Sequence, residues 1–467
     1  MKLFIYATIC MFIISGCEGS NYIALYEDRL LFENDSAPLP EREQVANFIE
    51  EMLELDILQN FVAEDERQQN LAEDIVFLRD IVFNNHGLFR TLQLNYFGER
   101  GIHLDRVFEI GNMFDDVIYE FLRQLPYLSD LEVKLHIAKA LSVFEDNHTR
   151  FTDFDSLLNE QVFLVSFRWL GNGYYLVNAG EEYQSQLHKS LRYVNGICIN
   201  ELFYISTNVF GVENIYDARQ RFSGVLGLPI FFEAIGIEGD IVYTFADGSS
   251  MAPARYDRNK AQEIMATGVK YQEPPMFLVD GGGALWSELT YNDILYIRVG
   301  SFYHGQRWLT LFFNVREQLQ DHTSNAVIID VRNNGGGHAD LAHFKEMAEL
   351  ILDTIEPNRA FYFMNEGSQS ASLYWAIELE NRGFITVGMP AGQGLHMFGR
   401  AGRYTLPYLD MQFGIPPVYA GMTSRVSREG AVQDNAFVPM IRIEHTIDDW
   451  INGIDPLYKY VVSLGAQ

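Results

Sequence analysis

Ala326-Val327-Ile328-Ile329-Asp330-Val331-Arg332-Asn333-Asn334-Gly335-Gly336-Gly337 is the stretch that decides how the chain is read. An apolar run of strand length ends in a polar turn and three glycines. A helix-like segment follows over 340–352. A second apolar run, Phe361-Tyr362-Phe363-Met364, breaks at Asn365-Glu366-Gly367-Ser368-Gln369-Ser370-Ala371-Ser372. A second helix-like segment reaches Gly383, and Phe384-Ile385-Thr386-Val387-Gly388 closes the unit. Short apolar runs alternating with helical segments predict parallel βαβ units. In such a sheet the loops after the strand ends gather on one edge, where ligands bind. One loop offers bare backbone N–H groups at its glycines, and the other offers serines at the start of a helix. A nucleophile beside donors for an oxyanion is the equipment of acyl transfer.

The run over 327–337 resembles the signature of the tail-specific, or C-terminal processing, serine peptidases. The 365–372 stretch resembles that family's nucleophile loop, and Gly388-Met389-Pro390-Ala391-Gly392-Gln393-Gly394 its following turn. The resemblance implies an α/β fold with three parts: an N-terminal helical cap, a small PDZ-like α+β module and a ClpP/crotonase-like βαβ catalytic core. It implies Ser370, the serine before Ala371, as nucleophile. Backbone N–H groups of Ala371 and of Gly335 or Gly336 are the implied oxyanion donors. Family members with a Ser–Lys dyad carry a lysine in the turn after the core. Here that turn holds Gln393, and no lysine lies between Ser370 and Lys459. The match is therefore to the tricorn-like branch, where a histidine is the base. Glu145-Asp146-Asn147-His148-Thr149-Arg150 resembles the Asp-Gly-His-Thr type turn that closes the family's helical region, with Asn147 in the glycine position. It nominates His148. A tail glutamate supports the site in that branch, and Glu429-Gly430-Ala431-Val432-Gln433-Asp434 makes Glu429 the nearest match, with Gln433 replacing the family's proline.

Periodicity organises the rest. Val45, Phe48, Ile49, Met52 and Leu53 form one helical stripe, and Ile75, Leu78 and Ile81 another. Asn84-Asn85-His86-Gly87 reads as a stop, and 104–125 and 130–144 as further amphipathic helices. Residues 41–150 thus form a helical domain. Short strands and turns fill 160–255, where Asn195-Gly196 between two apolar runs is a hairpin signal. Helix-like 213–222 and strand-like 241–245 belong to the same module. A loop-rich stretch covers 260–286, the main sheet is expected to start at Ile294, and the catalytic core spans 285–467. A strand at 403–408 and a closing helix at 450–462 complete the reading.

The 467 residues predict two or three domains, and 48% hydrophobic content allows a sizeable core. A net charge of -29 argues against nucleic acid and against an anionic membrane surface. Residues 1–16 read as a signal peptide, since the apolar run is too short to span a bilayer. Ile14-Ser15-Gly16-Cys17 resembles a lipobox, which implies lipidation at Cys17 and a tether over 17–40. Glu18 after it favours the outer membrane of a Gram-negative cell envelope. Cys198 is then left alone, read as a buried, inert thiol with no disulfide framework.

Competing readings stay open at this point. Ser368 and Ser372 are rival nucleophiles or helix caps. His396 is a rival base, and His148 has the alternative of a capping or core histidine. His338 and His343 do not share a helix face, and no His-Glu-x-x-His motif occurs, so neither metal nor cofactor is expected. Two functions follow: a serine peptidase acting on peptides or unfolded protein in the cell envelope, and a peptidase-like lipoprotein that binds peptide without cutting. The sequence is silent on oligomeric state.

Overall fold

Amphipathic periodicity makes the first part of the chain helical. The computed structural model describes residues 42–89, 104–151, 161–207, 209–268, 285–302, 305–321, 324–338 and 342–465. The expected signal peptide, Cys17 and the tether lie outside them. Helices α1 (Arg42–Glu54), α2 (Glu66–Asn85), α3 (Leu104–Gln124) and α4 (Asp130–Ser142) form the cap. The Asp65 carboxylate accepts from the Gln68 N–H and opens α2; a Ser129–Glu132 capping box opens α4. His86, inside the expected stop, turns the chain out of α2 with extended backbone.

The cap does not close its core by itself. Phe83, Phe89, Phe114 and Phe144 share one apolar cluster with Phe398, Met411, Phe413 and Ile415 from far downstream. Asp74, buried in α2, accepts the Tyr408 and Leu409 N–H groups at 2.9 and 2.8 Å. Strand β1 (Arg150–Phe151), directly after His148, pairs antiparallel with residues 413–414. The cap's last turn is thereby fixed against the C-terminal half of the chain.

The middle of the chain has its own apolar cluster. Strands β2 (Val165–Leu170) and β3 (Gly173–Ala179) form a hairpin. β4 (Leu191–Val194) and β5 (Ile197–Cys198) form another around Asn195 and Gly196. Both turn residues have positive φ, 48° and 79°, as a two-residue primed turn requires. Cys198 is half-buried, where the expectation was a buried thiol. Helix α5 (Ile215–Val225) follows, capped by Asn214.

The last part holds a six-stranded sheet, in spatial order β6 (Leu285–Leu289), β7 (Ile294–Val299), β8 (Ala326–Asp330), β9 (Ala360–Met364), β10 (Ile385–Gly388) and β13 (Ile441–Arg442). All neighbours run parallel except β6 and β7. The intervening helices are α6 (Gln306–Asp321), α7 (Ala342–Thr354) and α8 (Ala371–Glu380). Alternate residues serve opposite faces. Leu295, Ile297, Val327, Ile329 and Tyr362 pack with Trp308, Phe344 and Leu373 of the helices. Tyr296, Ile328, Phe361 and Phe363 pack with Leu457 and Val461 of α9 (Pro456–Gly465). A sheet covered on both faces needs strands apolar on both, which is why the runs are continuous rather than alternating. Strands β11 (Gly402–Thr405) and β12 (Gln412–Ile415) form the hairpin that receives β1.

Three expectations change. The sheet starts one strand early, because Trp286 stacks on Tyr296 from an antiparallel edge strand whose half-buried residues read as loop. A sixth strand at 441–442 is too short to show as a period. The closing helix splits into Ile447–Ile451 and Pro456–Gly465, since Gly453 adopts φ 63° and Pro456 restarts the chain. Among the described residues no helix is long and apolar enough to cross a membrane.

His86 reports on the packing of cap against core. Its ring is fully buried, accepts the Leu88 N–H at Nδ1 (3.0 Å) and meets Thr149 Oγ1 with Nε2 (2.7 Å). Burial pushes its pKa down to about 4, against a smaller opposing pull from Asp146. Between pH 6.5 and 4 the unfolded chain binds the proton and the folded chain does not, so stability falls as pH falls. Going from pH 7 to 5 should cost on the order of 2 kcal/mol at this one ring. Urea unfolding at both pH values measures it: His86→Gln should be less stable at pH 7 but lose about 2 kcal/mol less on acidification. Equal losses in the two proteins would refute the assignment.

Candidate active site

The site is built where the loops after β8 and β9 touch. Arg332 ends β8 inside a buried ionic knot. Its guanidinium bonds Asp330 Oδ2 at 2.6 Å and Asp455 Oδ2 at 2.7 Å, while Tyr296 Oη donates to Asp330. Asn334 comes next and spends every polar atom. Its Nδ2 donates to Val299 O, its Oδ1 accepts the Gly336 N–H, and its carbonyl accepts both the Gln369 N–H and Ser372 Oγ. The glycine loop and the serine loop are thus one unit.

Ser370 stands at the start of α8 with φ 53° and ψ -115° and makes no side-chain cap bond. A non-glycine residue there costs about 1–3 kcal/mol. Such a strained strand-to-helix turn is how hydrolases present a nucleophilic hydroxyl. Ser368 and Ser372 are fully buried. Ser368 Oγ donates to Val331 O and Ser372 Oγ to Asn334 O, so neither is a cap and neither hydroxyl faces the cleft. Gly336 is where the loops touch. A Cβ there would lie 2.5 Å from Ser370 Cβ, and its φ is 99°.

The expected oxyanion donors divide. The Gly336 N–H is committed to Asn334 Oδ1 at 2.8 Å, so it cannot serve. Among the described residues the N–H groups of Gly335 and Ala371 have no protein acceptor. Ala371 N lies 3.1 Å from where a Gly336 Cβ would be. The positive end of α8 favours negative charge at the same point.

His148 reaches this edge of the sheet. Gln393, fully buried, stands between ring and serine: its Oε1 accepts the Ser370 N–H, and its Nε2 lies 3.4 Å from His148 Nδ1. No hydrogen bond joins Ser370 Oγ to the ring among the described residues. Asp146 Oδ1 lies 3.7 Å from the same Nδ1, beyond hydrogen-bond reach but within ion-pair range. Asp146 is set by a relay, in which Thr149 gives it both its N–H (2.8 Å) and its hydroxyl (2.7 Å) while His86 meets that hydroxyl.

Glu429 is not in this network. It is exposed in the turn before β-strand residues 432–433, and Arg428 beside it binds Glu380 instead. The glutamate at the site is Glu213, which is 1% exposed. Its two oxygens accept the Asn147 N–H (2.8 Å) and the Gly394 N–H (2.5 Å). Burial, then the charges of Asp146 and Asp217, push its carboxyl well above the usual range. Burial pushes Asp146 up as well, but the His148 and His86 rings and the Thr149 hydroxyl outweigh that and hold it down. Asn147 bonds Arg221 through Oδ1, and Arg221 is itself paired with Asp217. His396 is no base for Ser370, since Nδ1 meets Tyr419 Oη at 2.8 Å and burial lowers its pKa to about 4. His338 precedes α7, so it shares no helix with His343.

Sequence reasoning missed Asp146, Glu213 and Gln393 as site residues. Glu213 precedes an amphipathic helix and looks like an ordinary first-turn acid. Gln393 had a signal, because it lies in the very turn searched for a lysine. A cavity of about 260 Å³ lies between β2, α5 and the loop carrying Asn365 and Glu366, and neither Ser370 nor His148 lines it.

The sequence matches no family model and no curated relative. The fold is similar to that of mature CPAF. A mature CPAF structure aligns with TM-score 0.54 and 12% identity over 86% of this chain and 97% of that one. Mature CPAF complexed with lactacystin gives 0.53 and 12% over 85% and 98%. The photosystem II D1 C-terminal processing protease gives 0.33 and 10% over 81% and 94%, too distant to add weight. At these identities the likeness to CPAF is one of fold.

Gly336→Ala tests the loop contact. It should lose about 2 kcal/mol or more in urea unfolding, from strain and overpacking. Gly335→Ala, with open space around it, should stay within about 0.5 kcal/mol. Similar losses at both positions would rule the contact out.

Proposed function

We propose that the protein is a serine-type peptidase of the tail-specific kind that hydrolyses peptide bonds by a Ser–His mechanism. The observation that carries it is the strained Ser370, held hydroxyl-free against Gly336 at a helix N-terminus, with an imidazole and a buried carboxylate one side chain away. Ser370 Oγ attacks the scissile carbonyl and its proton passes to His148 Nε2. Asp146 holds the Nδ1–H and stabilises the imidazolium, the part an acid plays in a triad. The N–H groups of Ala371 and Gly335 receive the oxyanion. His148 then protonates the leaving amine, and water repeats the cycle on the acyl-enzyme. Asp146 takes the supporting role first given to Glu429, and Glu213 positions the Asn147–His148 turn.

The resting site is not yet in line. The Ser370 N–H fixes Gln393 with its oxygen toward the serine, so its Nε2 donors face Nδ1. Asp146 can hold Nδ1–H only when that amide moves off. Substrate in the cleft is the natural cause, and catalytic hydrogen bonds commonly tighten only in the substrate complex. The cavity of about 260 Å³, walled in part by Arg168, Arg219 and Glu366, is the seat we assign to the peptide. In this reading 160–255 is a PDZ-like module and the parallel core is ClpP/crotonase-like. The protein acts in the cell envelope, lipid-anchored at Cys17, so Cys17→Ala should move it from the membrane to the soluble fraction. An unchanged membrane share would remove the anchor.

A fluorophosphonate probe with a peptide-hydrolysis assay tests the mechanism. Ser370→Ala should abolish labelling, and His148→Ala and Asp146→Asn should slow it by about 10²-fold or more. Labelling of Ser370→Ala at the wild-type rate sinks the assignment. The second reading, peptide capture without cutting, is favoured by the missing Ser370–His148 bond. Peptide binding without any labelling of wild type would establish it.

A further inference from the structure

The Asp146, His148 and Glu213 side chains converge in a way that proton transfer does not exhaust. Each offers one ligand atom, and the three atoms lie within 4.8 Å of one another. Asp146 is 2% exposed, and its Oδ2 is used by Thr149. Its Oδ1 is buried without any hydrogen-bond partner and faces His148 Nδ1 at 3.7 Å. An orphaned carboxylate oxygen is rare in a protein interior. Glu213 accepts one backbone N–H at each oxygen, which leaves each a further lone pair. His148 is about a quarter exposed on its side chain, so the cluster has an approach from the cleft.

We propose that these three residues form a binding site for a divalent transition-metal ion of the Zn²⁺ type, and that occupation of it switches the enzyme off by capturing His148. Two carboxylates and one imidazole are a three-ligand set that leaves a fourth position open. The imidazole selects against Mg²⁺ and Ca²⁺, which take oxygen ligands. Zinc holds such ligands at about 2.0–2.2 Å, so the side chains have to close in by about an ångström. Gln393 gives up its contact with Nδ1 when the ion arrives. A metal on Nδ1 prevents Asp146 from holding a proton there, and Ser370 loses its general base.

The inhibitory half rests on the catalytic reading above; the binding half does not. Binding is therefore measured first on Ser370→Ala, which keeps all three ligands and needs no activity. Co²⁺ should bind one ion per chain with visible d–d absorption, and Zn²⁺ should displace it. His148→Ala and the near-isosteric Asp146→Asn, each with an unchanged circular dichroism spectrum, should weaken binding by more than about tenfold. No absorption, or equal binding in both variants, overturns the site. Zn²⁺ should then suppress fluorophosphonate labelling of wild type, with full recovery on adding EDTA. Labelling that persists with the site filled overturns the inhibitory role. Wild type that never labels refutes the peptidase reading and leaves the Co²⁺ result to decide the site.

Discussion

The constraint that shapes the candidate site is the approach of Gly336 to Ser370, where no side chain fits between two loops. Everything chemical depends on it. The serine backbone sits in a conformation that costs about 1–3 kcal/mol, so something must hold it there. Asn334 does most of the holding, through bonds to Val299, Gly336, Gln369 and Ser372. Each is worth about 0.5–1.5 kcal/mol net, so the set suffices to offset the strain. Behind Asn334 stands the buried Asp330–Arg332–Asp455 knot, whose loss would leave uncompensated charge in the sheet.

A second constraint joins parts distant in sequence. Glu213 binds the cap's last turn through Asn147 and the core's turn through Gly394, and its own backbone accepts from Asn435 Nδ2. Cap, middle module and core therefore meet at one carboxyl. Apolar packing cannot set such a meeting to within a hydrogen bond, because it is non-directional. Backbone donors aimed at a carboxylate can. The cost is three buried acids, Asp146, Glu213 and Asp217, against the guanidinium of Arg221 and the ring of His148 among the described residues. The strain shows at Glu213, whose carboxyl burial and the charges of Asp146 and Asp217 push well above the usual range.

The βαβ unit was legible because its strands are apolar on both faces and its breaks fall at Asn-Asn-Gly-Gly-Gly and at the serine loop. Pattern alone located the serine loop and the glycine loop opposite, and the resemblance singled out Ser370. His148 was legible only through resemblance, since a histidine after an amphipathic helix is otherwise unremarkable. What was hidden depends on pairing across long separations. The Gly336 N–H looked like an oxyanion donor, but an asparagine two residues earlier takes it, and residue type does not reveal that choice. Glu429 matched by spacing to a glycine, whereas Glu213 is chosen by burial. The edge strand at 285–289 carries a mixed pattern because one side of it has no neighbour.

Gln393 fits the proposal of a histidine base. The strained Ser370 leaves its own N–H pointing away from the helix, and the acceptor it finds is a side-chain amide oxygen. A lysine there has three donors and no acceptor, so it could not satisfy that N–H. Its charge would also lie within a fully buried position, where an ammonium loses solvation. A glutamine accepts from the serine backbone with one end and donates toward His148 with the other, without charge. It cannot take a proton from a hydroxyl at neutral pH. With that amide facing His148 Nδ1, the proposed base is the imidazole of the Asp146–His148–Glu213 cluster, whose side chain is about a quarter exposed while both carboxylates are buried.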